Sequence, residues 1–243
     1  MPPLILITRP RESAQTFAAD LRAELGPDAD ICIAPLLEIE HICDLPDLTQ
    51  VQTLIFTSAH AVASVANATR RRDFTCYTVG GATAETAHTS GFTPIIGPGT
   101  GKDLAALILQ DAPDTPCLHL RGDHVAFDIA KYLNAAGIKT RSATVYRQVA
   151  RTLSGEAKSR LKDAGPIIAP VFSPRSAQLL LDALRKDTNL LIAAISSAAA
   201  EVIPPDRALQ VRIAECPDKA AMLTCVAKLW RNANQLEGGS TAQ

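Results

Sequence analysis

The segment Ile55-Phe56-Thr57-Ser58-Ala59-His60-Ala61-Val62 is an apolar run that passes through two hydroxyl residues into a helical pattern. This pattern predicts a buried strand followed directly by a helix. The segment Val171-Phe172-Ser173-Pro174-Arg175-Ser176-Ala177 repeats it, with Phe172 lying 116 residues after Phe56, and Val79 and Ile195 in the next apolar runs have the same separation. Solenoid repeats have periods of roughly 20–50 residues. The longer offset therefore predicts two similar α/β halves that hold a ligand between them.

The composition allows two ordinary domains and excludes several classes of partner. The chain has 243 residues, of which 47% are apolar, so each half can bury its own core. Its net charge of −1 gives no overall field that would attract nucleic acid or a membrane surface. The N-terminus lacks a signal-sequence pattern, and no run approaches the ~20 apolar residues of a membrane span. We therefore expect a cytoplasmic protein.

Motifs for metals and cofactors are missing from the sequence. The six cysteines form no C-x-x-C pair and show no ligand spacing with the five histidines. Neither a P-loop nor a G-x-G-x-x-G fingerprint is present, and Gly97–Lys102 has the wrong spacing for a phosphate loop. We expect a reaction that needs no metal and no cofactor.

Strands and helices alternate along most of the chain, which predicts parallel sheets covered by helices on both faces. Extended segments near 35–40 and 138–149 interrupt the alternation and are interpreted as two crossings between the halves. The sequence thus predicts a discontinuous α/β domain (1–37 plus 148–231), an inserted α/β domain (38–147) and a disordered tail (232–243).

Hydroxyl, glycine and arginine residues follow the predicted strands at their carboxyl ends, where ligands bind in open parallel sheets. Each of these positions opens a helix, whose free N–H groups favour anions. For any single serine or threonine, ordinary helix capping is the alternative explanation. The residues are Arg9, Thr57, Ser58, Gly80, Thr83, Arg121, Gly122, Ser173, Arg175, Ser196 and Ser197.

Tyr146 ends the second crossing, in Thr144-Val145-Tyr146-Arg147. A phenol with a pKa near 10 is a neutral hydrogen-bond donor at pH 7, suited to assist the departure of a hydroxyl group. A packed linker tyrosine is the structural alternative.

Six short motifs, taken in their order along the chain, resemble the sparse signature of uroporphyrinogen-III synthase. The resemblance implies a fold of two flavodoxin-like (HemD-like) parallel-sheet domains joined by a two-stranded linker, with a cleft between them. It also implies a lyase that converts hydroxymethylbilane, a linear tetrapyrrole with eight carboxylates, into uroporphyrinogen III with inversion of ring D. The motifs are Leu6-Ile7-Thr8-Arg9-Pro10, Ile55-Phe56-Thr57-Ser58-Ala59, Val79-Gly80 with Ala82-Thr83-Ala84, Leu120-Arg121-Gly122, Val145-Tyr146 and Phe172-Ser173-Pro174.

The resemblance assigns Tyr146 to hydroxyl departure, and it places Thr57, Ser58, Gly80, Thr83, Gly122 and Ser173 along the cleft. The arginines Arg9, Arg121 and Arg175 are added from their strand-end positions, because guanidinium groups bind carboxylates bidentately. The chain departs from the family's Ile-Gly-x-x-Thr-Ala pattern in the second half, where Ser196 and Ser197 are possible substitutes.

Two other functions remain open on sequence grounds. One is a non-enzymatic binding module with two lobes on a hinge, and the other is a degenerate synthase domain kept for interaction. For the synthase we expect a monomer that receives hydroxymethylbilane from the preceding deaminase and has no nucleic-acid or membrane partner.

Overall fold

The computed structural model of the chain describes residues 2–42 and 44–238, with side chains described up to residue 235. The chain divides into two compact units. Unit 1 comprises Met1–Glu38 and Ala150–Gln243, and unit 2 comprises Ile39–Val149. The sequence placed these boundaries one to two residues earlier, at 37/38 and 147/148.

Unit 1 contains, within the described residues, a five-stranded sheet in which every recorded pair is parallel. The spatial order β11-β10-β9-β1-β2 is the flavodoxin-like order 2-1-3-4-5 read from the other edge. The strands are β1 (Leu4–Ile7), β2 (Ile31–Ile33), β9 (Ile167–Val171), β10 (Leu190–Ala194) and β11 (Gln210–Ile213), and the helices are α1 (Arg11–Leu25), α6 (Gly155–Lys162), α7 (Pro174–Ala183), α8 (Ser197–Glu201) and α9 (Lys219–Gly238).

Alternating side chains of each buried strand supply the two faces of this sheet. In β1, Leu4 and Leu6 pack with residues of α6, α7 and α8. Ile5 and Ile7 point to the opposite face and pack with residues of α1 and α9. Both faces of the sheet are therefore covered at its central strands, which explains why β1, β9 and β10 are apolar throughout, whereas the edge strand β11 is largely exposed.

Unit 2 has the same layered construction. Its described sheet has the order β3-β8-β7-β4-β5-β6, with residues of α2 and α3 packed on one face and of α4 and α5 on the other. The strands are β3 (Leu37–His41), β4 (Thr53–Phe56), β5 (Thr75–Thr78), β6 (Pro94–Ile96), β7 (Cys117–Gly122) and β8 (Thr140–Ala150), and the helices are α2 (Ala59–Ala68), α3 (Gly81–Thr89), α4 (Gly101–Asp111) and α5 (Ile129–Ala135).

The strands β3 and β8 carry the chain across the unit boundaries. They are neighbours in the sheet, and residue numbers increase in opposite directions along the two strands. Near one end the N–H of Ile42 donates to the carbonyl of Val145, and near the other the N–H of Arg151 donates to the carbonyl of Leu36. The two crossing strands are therefore antiparallel to each other.

The predicted α/β class with parallel sheets is confirmed, and two details differ from the sequence prediction. Arg121 and Gly122 were expected to open a helix, but a loop follows them and the helix α5 begins only at Ile129. The helix α9 continues to Gly238, so residues 232–238 are helical and do not form the disordered tail that we predicted. Residues 239–243 of that predicted tail lie outside the described residues. No helix in the described part of the chain is both long and apolar enough to cross a membrane.

Candidate functional site

The sheet order of unit 2 brings most of its predicted site residues to one edge. Thr57, Gly80 and Gly122 lie at or just beyond the carboxyl ends of β4, β5 and β7, and Tyr146 lies within the neighbouring strand β8, opposite Gly122. A cavity of about 240 Å³ opens there, lined by Thr57, Arg121, Gly122 and Tyr146 together with residues of the 124–127 loop. Four residues proposed from sequence alone thus share one pocket within unit 2.

The position of Tyr146 depends on an irregularity between β7 and β8. The parallel register shifts between Arg121 and Gly122, so that Gly122 lies opposite Tyr146 and not opposite Val145. A Cβ atom added to Gly122 would lie 2.6 Å from Cζ of the Tyr146 ring. The ring therefore rests directly on the glycine backbone, and bulges of this kind re-aim side chains at many active sites.

The environment of Tyr146 keeps its hydroxyl protonated. The residue is 6% exposed. Burial raises its pKa above 10, a hydrogen bond with the Ser58 side chain opposes this, and the negative charge of Asp123 raises the pKa further. The imidazole of His60 packs against the phenol, with ring centroids 5.6 Å apart. The phenol is accordingly a neutral donor throughout the physiological pH range.

Asp123, the acidic residue that follows Gly122, is tied to the same strand end. Its N–H donates to the carbonyl of Tyr146 at 3.2 Å, and its carboxylate accepts from the N–H of Gln148 at 3.3 Å. It also lies 3.0 Å from Nδ1 of His124. These contacts hold the backbone on both sides of the register shift.

The other predicted residues of unit 2 have different surroundings. Ser58 caps α2 by accepting from the N–H of His60, and Gly80 occupies the cap position of α3. Thr83 is buried in the first turn of α3 at 6% exposure. None of these three lines the described cavity.

In unit 1 the predicted residues also follow neighbouring strands, namely β1, β9 and β10. Ser173 caps α7 in a reciprocal capping box with Ser176, and Ser196 caps the short helix α8. Ser197 is the exposed first residue of that helix, and Arg175 is partly buried in the first turn of α7. The hydroxyls of Ser173 and Ser196 therefore serve local capping.

Arg9 has the most distinctive setting in unit 1. Its guanidinium carbon lies 3.9 Å from the centroid of the Phe172 ring, which in turn meets Phe17 edge-on at 5.3 Å. Burial lowers the pKa of Arg9, but not far enough to discharge it. No hydrogen bond or ion pair is recorded for it among the described residues. A stacked guanidinium with free N–H groups is well prepared to bind a carboxylate.

Sequence reasoning missed His119, in the middle of β7. Its Nε2 lies 3.2 Å from Oγ1 of Thr57, while Nδ1 has no hydrogen-bond partner among the described residues. Burial, with a smaller effect from the positive charge of Arg121, lowers its pKa to about 4, and Asp128 acts weakly in the opposite direction. The signal in the sequence was a single polar residue within the buried strand Cys117-Leu118-His119-Leu120.

A larger cavity lies elsewhere in unit 1. It has a volume of about 580 Å³ and is lined by residues that include Lys158, Lys162 and Arg185, near the amino-terminal ends of β9 and β10. In parallel sheets the carboxyl ends carry the ligand, so we assign the site to the smaller cavity. In the same described residues, no group of three or more His, Cys, Asp or Glu side chains is placed to hold a metal ion.

Replacing Gly122 by alanine should displace Tyr146, because the new Cβ would overlap its ring. Overpacking of this kind costs roughly 1–3 kcal/mol of unfolding free energy. Denaturant unfolding and the near-UV circular dichroism of the tyrosines measure the effect. Gly155→Ala is the matched control, since a Cβ there meets nothing within 4 Å; equal behaviour of the two variants would contradict the close contact.

The free energy of unfolding should decrease as the pH is lowered, because His119 is buried in its neutral form. The unfolded chain takes up a proton near pH 6.5 and the folded chain only near pH 4, so protons favour the unfolded state in this window. The stability present above pH 6.5 should decline by up to about 3 kcal/mol as the pH falls to 4. In His119→Gln the decline should be smaller by that amount in urea unfolding, whereas His88→Gln, at an exposed position of α3, should match the wild type.

Comparison with known proteins agrees with the resemblance noted in the sequence. The family described as "Uroporphyrinogen-III synthase HemD" matches residues 16–224. No curated protein matches the sequence. Solved structures share the fold, among them the following two. The uroporphyrinogen-III synthetase of Helicobacter pylori 26695 is 18% identical with a TM-score of 0.70, and the match covers 94% of this chain and 100% of that one.

A mutant uroporphyrinogen III synthase of the extremely thermophilic bacterium Thermus thermophilus is 15% identical with a TM-score of 0.53, over 96% of this chain and 98% of that one. At these identities the structural likeness speaks for the fold, and the family match covers most of the chain. The chain therefore belongs to the uroporphyrinogen-III synthase family, the lyases that cyclise hydroxymethylbilane in tetrapyrrole biosynthesis.

Proposed function

We propose that the chain performs its family's reaction at the strand-end cavity of unit 2, with Tyr146 as the proton donor. The observation that carries the proposal is the shared cavity of Tyr146, Thr57, Arg121 and Gly122. It combines a neutral phenol with a guanidinium and a hydroxyl that suit carboxylates. In this proposal the substrate is hydroxymethylbilane and the product is uroporphyrinogen III.

The first step is the loss of the terminal hydroxyl group. The C–O bond of the hydroxymethyl group breaks while the phenol of Tyr146 donates its proton, so that water leaves and an azafulvene remains. The substituted carbon of ring D then forms a bond to the exposed methylene and gives a spiro-pyrrolenine. This intermediate fragments and recloses with ring D inverted, and the proton released at the end balances the one that the phenol donated.

The remaining residues are proposed to bind carboxylates of the substrate. Arg121 lines the cavity and Arg9 presents unpaired N–H groups. Arg175 is proposed to act through its guanidinium. The other proposed contributors act through hydroxyls or helix N–H groups: Ser58, Gly80, Thr83, Ser173, Ser196 and Ser197. Binding energy spread over many carboxylates would fold the bilane so that ring D presents its substituted carbon.

Three further points belong to the proposal. The reaction needs no cofactor, since it is redox-neutral and the only group that the protein must supply to it is a proton. Substrate comes from the preceding deaminase, because free bilane closes spontaneously to the uninverted isomer. The chain acts in the cytoplasm as a monomer, which is an expectation from the sequence.

Incubation with freshly generated hydroxymethylbilane tests the activity, with chromatographic separation of the product isomers. Isomer III is expected. Isomer I at the spontaneous rate would overturn the proposal and leave a binding module or a degenerate interaction domain.

Tyr146→Phe should lower kcat by about 10²–10⁴-fold, the usual contribution of a positioned acid. The ring remains on Gly122, so the unfolding midpoint should change little. Steady-state kinetics measure the effect, and Tyr132→Phe, at an exposed position in the middle of α5, is the matched control. A kcat within a few-fold of the wild type would exclude Tyr146 as the acid.

Arg9→Met should raise KM about 10-fold or more, because a charged hydrogen-bonding partner of a carboxylate is lost. Arg9→Lys should recover only part of the affinity, since an ammonium cannot bind bidentately. The exposed Arg11→Met is the control. If Arg9→Met and Arg11→Met give the same KM, Arg9 is a structural residue.

A further inference from the structure

His119 is the buried polar residue behind the cavity wall. It is 1% exposed and sits between Leu118 and Leu120 on β7. Its Nε2 lies 3.2 Å from the hydroxyl of Thr57, and Thr57 lines the cavity. The imidazole itself does not line that cavity, so it reaches the site only through Thr57.

The neutral imidazole of His119 carries one N–H proton, and Thr57 is the one hydrogen-bond partner of the ring among the described residues. A buried imidazole that stays neutral carries N–H on one nitrogen and a lone pair on the other. If Nδ1 carried the proton, a buried N–H would have no acceptor among the described residues. Buried N–H groups without a partner are rarer than buried acceptors without one. The arrangement that satisfies the donor places the proton on Nε2, facing Thr57.

The direction of this hydrogen bond decides what Thr57 can offer to the cavity. A hydroxyl has one proton and two lone pairs. When Thr57 accepts the Nε2–H of His119, its own proton is free to point away from the imidazole. Thr57 then becomes a donor to an anion. If Thr57 instead donated its hydroxyl proton to His119, it would offer only lone pairs to the cavity and could not donate to an anion.

We propose that His119 is a positioning residue that donates Nε2–H to Thr57 and thereby presents the Thr57 hydroxyl proton to a carboxylate of the substrate. The inference rests on the proposed function for the identity of the ligand. The hydrogen-bond direction within the protein does not depend on it.

The tautomer can be measured on the ligand-free protein. Long-range ¹H–¹⁵N correlation spectra at pH 7 distinguish the two neutral forms of histidine, and the His119→Gln spectrum identifies the His119 signals among the five histidines. The Nε2-protonated form is expected. An Nδ1-protonated or a charged His119 would overturn the inference, whatever the activity of the protein.

Kinetics test the effect on substrate binding. His119→Met removes the donor and should raise KM about 5- to 20-fold with kcat reduced less than threefold. His119→Gln retains an N–H donor at a similar reach and should restore most of the affinity. A structural role alone would predict equal losses for Met and Gln, and that result would overturn the inference.

The pairing with Thr57 gives a further check. Thr57→Val should raise KM in the wild type but add little in the His119→Met background, because both changes remove the same donor. Additive effects would overturn the inference.

If His119→Met does not fold, the tautomer spectrum and the comparison of His119→Gln with the wild type still decide. Formation of isomer I by the wild type would reject the proposed function while leaving the tautomer result to stand by itself.

Discussion

The contact between the Tyr146 ring and the backbone of Gly122 is the constraint on which the rest of the site depends. It requires two neighbouring strands, a register shift between Arg121 and Gly122, and a residue without Cβ beneath the ring. Since both partners belong to buried strands, the phenol is held by the sheet and not by a mobile loop. Such placement on a rigid element is what a positioned acid requires. The cavity residues at the ends of β7 and β4 then fall beside the phenol, because β7 adjoins β8 and β4 adjoins β7.

The sheets of the two units have corresponding strand orders, but the chain enters them at different strands. The 116-residue offset pairs β4 with β9 and β5 with β10, and the strand orders β6-β5-β4-β7-β8 and β11-β10-β9-β1-β2 then correspond throughout. Arg121 near the end of β7 has its counterpart in Arg9, which follows the corresponding strand β1. Thr57 matches Ser173, but the helix cap has moved: Ser173 caps α7 itself, whereas Ser58 caps α2. Thr57 is thereby released from capping and is available to His119 and the cavity.

Much of this could be read from the sequence, because uniformly apolar strands and hydroxyl or glycine cap residues are local signals. The edge that collects Thr57 and Arg121 followed from the parallel topology, whereas Tyr146 was proposed from its position on the second crossing and from the family resemblance. The register shift at Gly122 could not be found in this way, since it depends on pairing between strands distant in sequence. The strand end at Gly122 was expected to open a helix directly, whereas a loop precedes the helix α5 at Ile129. His119 was missed because its importance comes from Thr57, 62 residues away.

In the proposed function, Asp123 helps to reconcile acid catalysis by Tyr146 with an anionic substrate. A carboxylate next to the cavity opposes the binding of other carboxylates, and by itself it argues against an anion site. Its negative charge also raises the pKa of Tyr146, in the same direction as burial. A phenol held against ionisation keeps its proton until the departing hydroxyl group develops negative charge, and an ionised phenolate would itself repel the substrate. With Arg121 lining the same cavity, the local charge is balanced, and the near-neutral chain needs no basic surface to hold a polyanion.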